Sequence, residues 1–354
     1  MLHAVIMAGG AGTRFWPASR AARPKQLLSF GSGRPMVEES LDRIGDLVPP
    51  ERILIMTNAE YVGLMADLLP EVPRSNILGE PACRDTAPCV GLAATILAAR
   101  DPDAVMAVMP SDHLIAPKEL FVGSLLAAES FLKTRPATLV TFGIEPTAPA
   151  TGYGYIKQAE KIHQAEGIAF YDVEGFREKP DEITARSFLD EGGYLWNSGV
   201  FVWRADTILD KIKNYIPRLH LKLGLLAERI DSAQFDTLFE ELYPTLEKIS
   251  IDYGVMEKAA HRAVAAVKYS WDDVGSWQSL ERLIASDEKG NRVQGPCETI
   301  DASNLIVSAR GGMVAAIGVD DLIIVHTPDA TLVCKKGDAQ SVKKIVDRLP
   351  PEFR

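Results

Sequence analysis

The chain has 354 residues, 47% hydrophobic and 24% charged, enough to bury the core of one large α/β domain plus a smaller module and too apolar for a disordered chain. A net charge of −10 argues against a general nucleic-acid binder. No apolar run approaches the ~18 residues of a membrane span, and Met1-Leu2-His3-Ala4 lacks the start of a signal peptide, so a cytoplasmic protein is expected.

In chain order, His3 to Met7 reads as a short strand and Ala8 to Thr13 as a glycine-rich turn. A helix over Val37 to Leu47 and a strand over Arg52 to Thr57 follow at the spacing of a βαβ unit. Thr86-Ala87-Pro88 starts a helix, with Thr86 or Asp85 as cap and Pro88 in the first turn. Ala104 to Met109 is a continuous apolar run of buried parallel-strand length, ending at Pro110-Ser111-Asp112-His113. Ligands of open α/β sheets gather at such carboxyl ends. From Thr138 the pattern changes to strands separated by turns (Thr138–Gly143, Gly154–Gln158, Gly199–Trp203), with helices around Arg218–Arg229 and Gln234–Leu242. After Asn291 come short strands over Leu305–Ser308, Met313–Ile317, Leu322–His326 and Thr331–Cys334, then a helix over Ala339–Arg348. The expected fold is α/β, a doubly wound, mostly parallel sheet with a small C-terminal β module. The expected domains are 1–288 and 289–354.

Charge is unevenly spread. Arg14, Arg20, Arg23, Lys25 and Arg34 all precede the first acidic residue, Glu38, and a local cationic site suits a small anionic ligand. Cys83, Cys89, Cys297 and Cys334 form no CxxC pair and no zinc-like spacing, so buried free thiols are expected.

The strongest segment is Gly9 to Gln26, GGAGTRFWPASRAARPKQ. A strand leading into a glycine turn brings backbone N–H groups close to an anion. Phe15 stands where a dinucleotide fingerprint needs its third glycine, which disfavours an NAD-binding dehydrogenase. Lys25 precedes Gln26 instead of Ser or Thr, so this is not a P-loop. What remains is a backbone cradle plus two cations, Arg14 and Lys25, able to stabilise charge on a departing pyrophosphate. Asp112, at a strand end, can reach a metal-bound phosphate or simply cap a turn. Asp273 is a second candidate, although Asp272 beside it could be the inward-facing residue. In Glu178-Lys179-Pro180 the carboxylate suits sugar hydroxyls and the ammonium suits a phosphate dianion. Gly152 lets backbone approach a sugar beside Tyr153, and Asn197 offers both donor and acceptor. Taken singly, each of these short motifs also fits an ordinary turn.

Together they resemble the sugar-phosphate nucleotidyltransferases. The loop Phe15-Trp16-Pro17-Ala18-Ser19-Arg20 with Pro24-Lys25-Gln26 is most similar to the members that join GTP to mannose 1-phosphate. The resemblance runs on through Glu80-Pro81, Thr86-Ala87-Pro88, Pro110 to His113, Thr151 to Ile156, Glu178-Lys179-Pro180, Trp196-Asn197-Ser198-Gly199, Ile251-Asp252-Tyr253 and Asp273-Val274-Gly275-Ser276-Trp277. It implies the Rossmann-like nucleotide-diphospho-sugar transferase fold and a C-terminal module like a short left-handed β-helix, which supports a homodimer. It also implies Mg²⁺ held by Asp112 and Asp273. Ala8, Gly9, Gly10, Gly12, Thr13, Glu80, Asp85, Thr86, Pro88 and Ser111 would contact the nucleotide. Gly152, Tyr153, Glu178, Lys179, Asn197 and Asp273 would contact the sugar phosphate. The family commonly has asparagine where this chain has Asp85, which can accept from a guanine or cap the helix. Some relatives carry a further phosphomannose isomerase domain; the strands after Asn291 are too few residues for that barrel, so a monofunctional enzyme is expected.

The implied reaction is in-line attack of the sugar-phosphate oxygen on the α-phosphorus of GTP, giving GDP-mannose and pyrophosphate. The nucleophile's second pKa lies near ~6, so it is mostly ionised at neutral pH and needs no general base. Catalysis then falls to alignment and charge compensation by Arg14, Lys25 and Asp112, with no role for a histidine; His113 is expected to pack or to support the metal aspartate. The rival readings are the same fold acting on glucose 1-phosphate with UTP, dTTP or ATP, and a non-catalytic regulatory subunit that binds nucleotide-sugar.

Overall fold

The computed structural model describes residues 1–10, 12–30, 33–230 and 232–354; Ala11, inside the expected glycine turn, lies outside them. The chain forms two compact units that interleave along the sequence. The first comprises Met1–Gly9, Asp42–Pro110 and Ile115–Trp271, the second Gly10–Leu41, Ser111–Leu114 and Asp272–Arg354.

In the first unit, nine strands of the described residues form one sheet. In spatial order they begin at Ile77, Ile53, Leu2, Val105, Tyr194, Leu139, Arg262, Ile168 and Tyr155. The first four run parallel. Their near-continuous burial, as in Leu2–Ala8 and Val105–Pro110, is what a strand covered on both faces requires. The chain leaves Leu2–Ala8 toward Ile53–Asn58 on one side and returns as Val105–Pro110 on the other, which makes the carboxyl ends of those two strands a topological switch point. Met7 pairs with Pro110, so the two ends are level.

Tyr194–Arg204 runs antiparallel between Val105–Pro110 and Leu139–Ile144. It is longer than the expected Gly199–Trp203, and its first residues also pair with Tyr155–Lys157. That second pairing seats Asn197 beside Gly154, whose carbonyl accepts from the Asn197 N–H at 2.8 Å. The expected strand at Gly154–Gln158 extends as Tyr155–Ala165 and forms a hairpin with Ile168–Arg177. One face of the sheet is covered by the helix Thr86–Arg100 with Ala205–Tyr215 and Pro217–Ala227. Gly91 permits that packing, since a Cβ there would lie 2.6 Å from Leu223 Cδ1 and 3.2 Å from Ile212 Cδ1.

In the second unit, Arg292–Gln294, Ile306–Ala309 and Leu322–His326 stack in parallel, as do Cys297–Ile300 and Val314–Ile317, in the manner of short β-helical coils. Thr331–Lys335 closes the stack antiparallel. The expected terminal helix Ala339–Arg348 is a 3₁₀ turn, Lys336–Ser341, followed by a short α-helix, Val342–Val346.

The Gly10–Leu41 segment shares a core with this module. Phe15, Leu28, Phe30 and Met36 pack with Trp277, Ile306, Ile323, Val325 and Val342. Phe15 lies between Phe30 (5.1 Å) and Trp277 (5.2 Å). The Trp277 indole N–H donates to the Trp16 carbonyl at 3.0 Å, and the Trp16 indole to the Phe353 carbonyl at 2.7 Å. Replacing the fully buried Trp277 by alanine removes one of the two tryptophans of this core. The expected loss is about 3–5 kcal/mol, read as a lower denaturant midpoint; an unchanged midpoint would show that the loop does not rely on this core.

Candidate functional site

From Gly10 onward the glycine turn, with its cations, belongs to the second unit. Gly12 adopts φ 62° and ψ 31°, left-handed backbone that glycine enters without strain. It also sits directly on Lys25: a Cβ at Gly12 would collide with Lys25 Cβ and lie 3.0 Å from the Lys25 backbone. The Gly12 carbonyl accepts from Phe15 N–H at 2.9 Å and Ser19 Oγ at 2.6 Å, closing the turn. Arg14 lies on the 3₁₀ turn Thr13–Phe15 with its side chain exposed, while Lys25 is buried.

Lys25 is held from two sides. Its Nζ donates to Asp112 Oδ2 at 2.7 Å and to the Asp273 carbonyl at 2.8 Å, 5.6 Å from the Phe15 ring centre. A buried ammonium needs such partners, because desolvation would otherwise expel it. Burial works to raise the Asp112 carboxyl, but the Lys25 charge, helped by His113, outweighs it and holds Asp112 below the usual carboxylate range. His113 Nε2 lies 4.0 Å from Asp112 Oδ1. Ser111 is buried, with its carbonyl accepting from Ser40 Oγ at 3.0 Å.

The adjacent aspartates 272 and 273 separate clearly. Asp272 is buried, accepts from Val274 N–H at 2.7 Å and pairs with the Arg282 guanidinium. It thereby supports Val274, a buried β-branched residue at φ 44°, a conformation that costs energy and occurs where surrounding structure enforces it. Asp273 carries the carbonyl that Lys25 binds, and its carboxylate lies over Gly275, where a Cβ would come within 2.9 Å of Oδ2. Asp272 is thus committed to Arg282 and Val274, whereas Asp112 and Asp273 both meet Lys25, the first through its carboxylate and the second through its carbonyl. A divalent ion fits such a pair when phosphate and water complete its shell.

In the first unit, Ala8 is buried and its carbonyl accepts from Thr57 Oγ1 at 3.0 Å. Gly9 follows, with room for a Cβ only at 3.3 Å from Glu80 Oε2. Glu80 is buried and accepts from the Tyr243 hydroxyl. Burial pushes its carboxyl up to about 7, against the hydrogen bonds from Tyr243 and Cys89. Asp85 caps Thr86–Arg100 from φ 68°, its Oδ1 accepting from Thr86 N–H at 2.8 Å. Thr86 Oγ1 accepts from Ile251 N–H at 2.8 Å, and Pro88 is buried in the first turn.

A second cluster in the same unit gathers Glu178, Lys179 and Asn197. Glu178 is buried; Oε1 accepts from Lys179 Nζ at 2.7 Å, and Oε2 has no hydrogen-bond partner. Burial works to lower the Lys179 ammonium, but Glu178 and Asp252 outweigh it and hold it above the ordinary lysine value. Asn197 Nδ2 donates to Asp252 Oδ1 at 2.9 Å, while its Oδ1 accepts from Thr141 Oγ1 at 2.9 Å and Gly199 N–H at 3.2 Å. Tyr153 stands edge-on to Trp196 (5.0 Å) and Trp271 (4.9 Å), and Gly152 is exposed with open space around it.

The nucleotidyl transferase family model matches residues 3–290, and that of the MannoseP isomerase/GMP-like beta-helix domain matches residues 297–349. The chain belongs to the nucleotidyl transferase family. A mannose-1-phosphate guanylyltransferase of Salmonella montevideo is 38% identical over all of this chain and 75% of its own length. Mannose-1-phosphate guanylyltransferase 2 of Escherichia coli O157:H7 is 36% identical over 99% of this chain and 74% of its own. This chain thus spans about three quarters of the length of those relatives. A crystal structure described as mannose-1-phosphate geranyltransferase from Thermus thermophilus superposes with a TM-score of 0.87 at 34% identity, covering 98% of both chains. By sequence, this chain falls within the mannose-1-phosphate guanylyltransferase branch of the nucleotidyl transferases.

Within the second unit Lys25, Asp112 and Asp273 are brought together; within the first, Glu178, Lys179 and Asn197 are. Two residues of these clusters escaped sequence reasoning as site residues. Tyr243 binds Glu80 across 163 positions with no local signal. Asp252 lies in the Ile251-Asp252-Tyr253 motif, which carries no local sign of the contact with Asn197. The four cysteines are free as expected, but Cys83 is exposed and only Cys89 is fully buried.

Exchanging the two aspartates for asparagine is expected to split their roles. Asp272→Asn lowers the melting temperature, because it weakens the Arg282 pair. Asp273→Asn weakens Mn²⁺ or Mg²⁺ binding by calorimetry more than Asp272→Asn does; the reverse order would exchange the assignments. Glu80 generates a pH effect. Its folded-state pKa of about 7 lies above that of an exposed glutamate, so the folded state holds the extra proton between the two values. This contribution is present at acid pH and is lost as pH rises to about 7. Glu80→Gln is expected to flatten that decline in denaturant titrations; an identical slope would contradict it.

Proposed function

We propose that this nucleotidyltransferase joins GTP and mannose 1-phosphate. An oxygen of the sugar phosphate forms a bond to the α-phosphorus, the bond from that phosphorus to the bridging oxygen of the β-phosphate breaks, and pyrophosphate leaves with its electron pair. GDP-mannose is the product. The sugar phosphate is mostly ionised at neutral pH, so no residue need remove a proton.

The observation that carries this reading is the buried Lys25 between Asp112 and the Asp273 carbonyl, packed against Gly12 of the glycine turn that leads to exposed Arg14. In this reading Gly9, Gly10, Gly12 and Thr13 offer backbone to the triphosphate. Lys25 and Arg14 balance charge on the departing pyrophosphate. Asp112 and Asp273 hold Mg²⁺, which when bound supplies positive charge to the phosphates. Glu80 and the Thr86–Pro88 helix start receive the base; Asp85 serves as the helix cap, so its carboxylate need not read the base. Glu178, Lys179, Asn197, Gly152 and Tyr153 receive the sugar phosphate. The names of the relatives support guanine and mannose over other pairs.

We assign catalysis to residues 1–288 and self-association to 289–354. Ile300, Met313, Ile317 and Val333 are exposed on the β-helical strands and their borders, an apolar set suited to a homodimer. No helix of the described residues is long and apolar enough to cross a membrane. Free thiols and highly charged substrates suit a reducing cytoplasm.

Pyrophosphate release with mannose 1-phosphate and Mg²⁺, compared across GTP, ATP, UTP and dTTP, is expected to favour GTP. Preference for another nucleotide would overturn the substrate assignment while leaving the reaction class. Lys25→Ala is expected to lower turnover roughly 10²–10³-fold with the circular dichroism spectrum retained. Near-wild-type turnover would remove Lys25 from the mechanism.

A further inference from the structure

Three features converge on the space above Gly154. A Cβ at Gly154 would collide with Glu178 Oε2 and come within 3.2 Å of Asn197 Cβ, so the missing side chain leaves room against that carboxylate oxygen. Glu178 Oε2 is itself buried and unpartnered. A buried carboxylate oxygen without a donor is costly unless a ligand supplies one. The third feature is Asp252. It opens a π-helical turn, Asp252–Met256, a rare conformation that recurs at functional sites.

That turn is tied to the Glu178 loop and to Asn197. Asp252 Oδ1 accepts from Asn197 Nδ2 at 2.9 Å, and Glu257 Oε1, just past the turn, accepts from the Glu178 backbone N–H at 3.1 Å. Oδ2 of Asp252 takes no side-chain partner among the described residues. Burial first, and the Glu178 charge second, push the Asp252 carboxyl up to about 7, against Lys179 and the Asn197 hydrogen bond. Two carboxyl groups close enough to repel one another gain nothing for the fold that one would not supply. They gain when a ligand rich in hydroxyl donors lies against both.

The geometry points to Asp252 as a binding residue of this pocket: its Oδ2 and Glu178 Oε2 receive two different hydroxyl groups of the sugar, while Lys179 takes the phosphate. This rests on the reading of the pocket as the sugar-phosphate site. Besides its own place in the pocket, Asn197 positions Asp252, holding Asp252 Oδ1 through Nδ2 while Thr141 and Gly199 fix its own oxygen.

Asp252→Ala and Asp252→Asn in the full chain test this. Asp252→Ala is expected to raise KM for mannose 1-phosphate roughly tenfold or more, the scale of one hydrogen bond to a charged group. KM for GTP should stay within about twofold. Asp252→Asn, which keeps an acceptor for Asn197, should recover part of the loss. Calorimetric binding of a series of deoxy-mannose 1-phosphates gives the second readout. One analogue should lose affinity for the wild type but lose nothing further on Asp252→Ala, because the same contact is already gone. Equal penalties for every analogue on both proteins would overturn the proposal, as would a KM for GTP that rises in step with that for the sugar phosphate. If the wild type binds mannose 1-phosphate but releases pyrophosphate with no nucleotide, the reading of the reaction fails, and the analogue series still decides the role of Asp252.

Discussion

A single buried ammonium organises the loop segments of the second unit. Lys25 Nζ joins three stretches of chain that are far apart in sequence, its own loop, the Ser111–Leu114 segment through Asp112, and the Asp272–Gly275 turn through the Asp273 carbonyl. The buried Lys25 would not tolerate its surroundings alone, since a low-dielectric site penalises an unpaired charge far more than a paired one. Much of the local sequence follows from holding that ammonium still. Gly12 is required because a Cβ would occupy the space of Lys25 Cβ. Phe15 and Trp277 fix the loop from beneath, and Asp272 spends its charge on Arg282 and on the strained Val274. Asp273 is thereby left to present its carbonyl to Lys25.

The first unit solves a different electrostatic problem. Its two clusters hold carboxyl groups, Glu80 in one and Asp252 beside Glu178 in the other, and burial disfavours the charged form of Glu80 and of Asp252. In the proposed function such groups would meet ligands that bring hydrogen-bond donors, a base edge or a sugar. The second unit pairs its buried charges internally; the first leaves Glu178 Oε2 without a partner. The two units thus treat their buried charged groups by opposite means.

The sequence disclosed most of this, unevenly. The parallel strands at Leu2–Ala8 and Val105–Pro110 were readable because strands buried on both faces become continuous apolar runs. The loop from Gly9 to Gln26 was readable because its glycines and cations are contiguous. Tyr155–Ala165 was underestimated, since its later residues are largely exposed and alternate poorly. The choice between Asp272 and Asp273 could not be made from adjacent identical residues; it depends on Arg282 and on the φ of Val274. Asp252 was hidden for a related reason. Its meaning comes from the pairing of Tyr155 with Trp196, which seats Asn197 beside Gly154 and so beneath the Glu178 carboxylate. Side-chain register across strands is invisible until the sheet order is known.

If Lys25 occupies Asp112 in the free protein, it competes there with any cation, and removing its charge should release that carboxylate. The most direct test is a calorimetric Mn²⁺ titration, without nucleotide, of the wild type and Lys25→Met. Tighter cation binding by Lys25→Met is expected, alongside its impaired pyrophosphate release. Unchanged or weaker binding would contradict the view that Lys25 and the metal share Asp112.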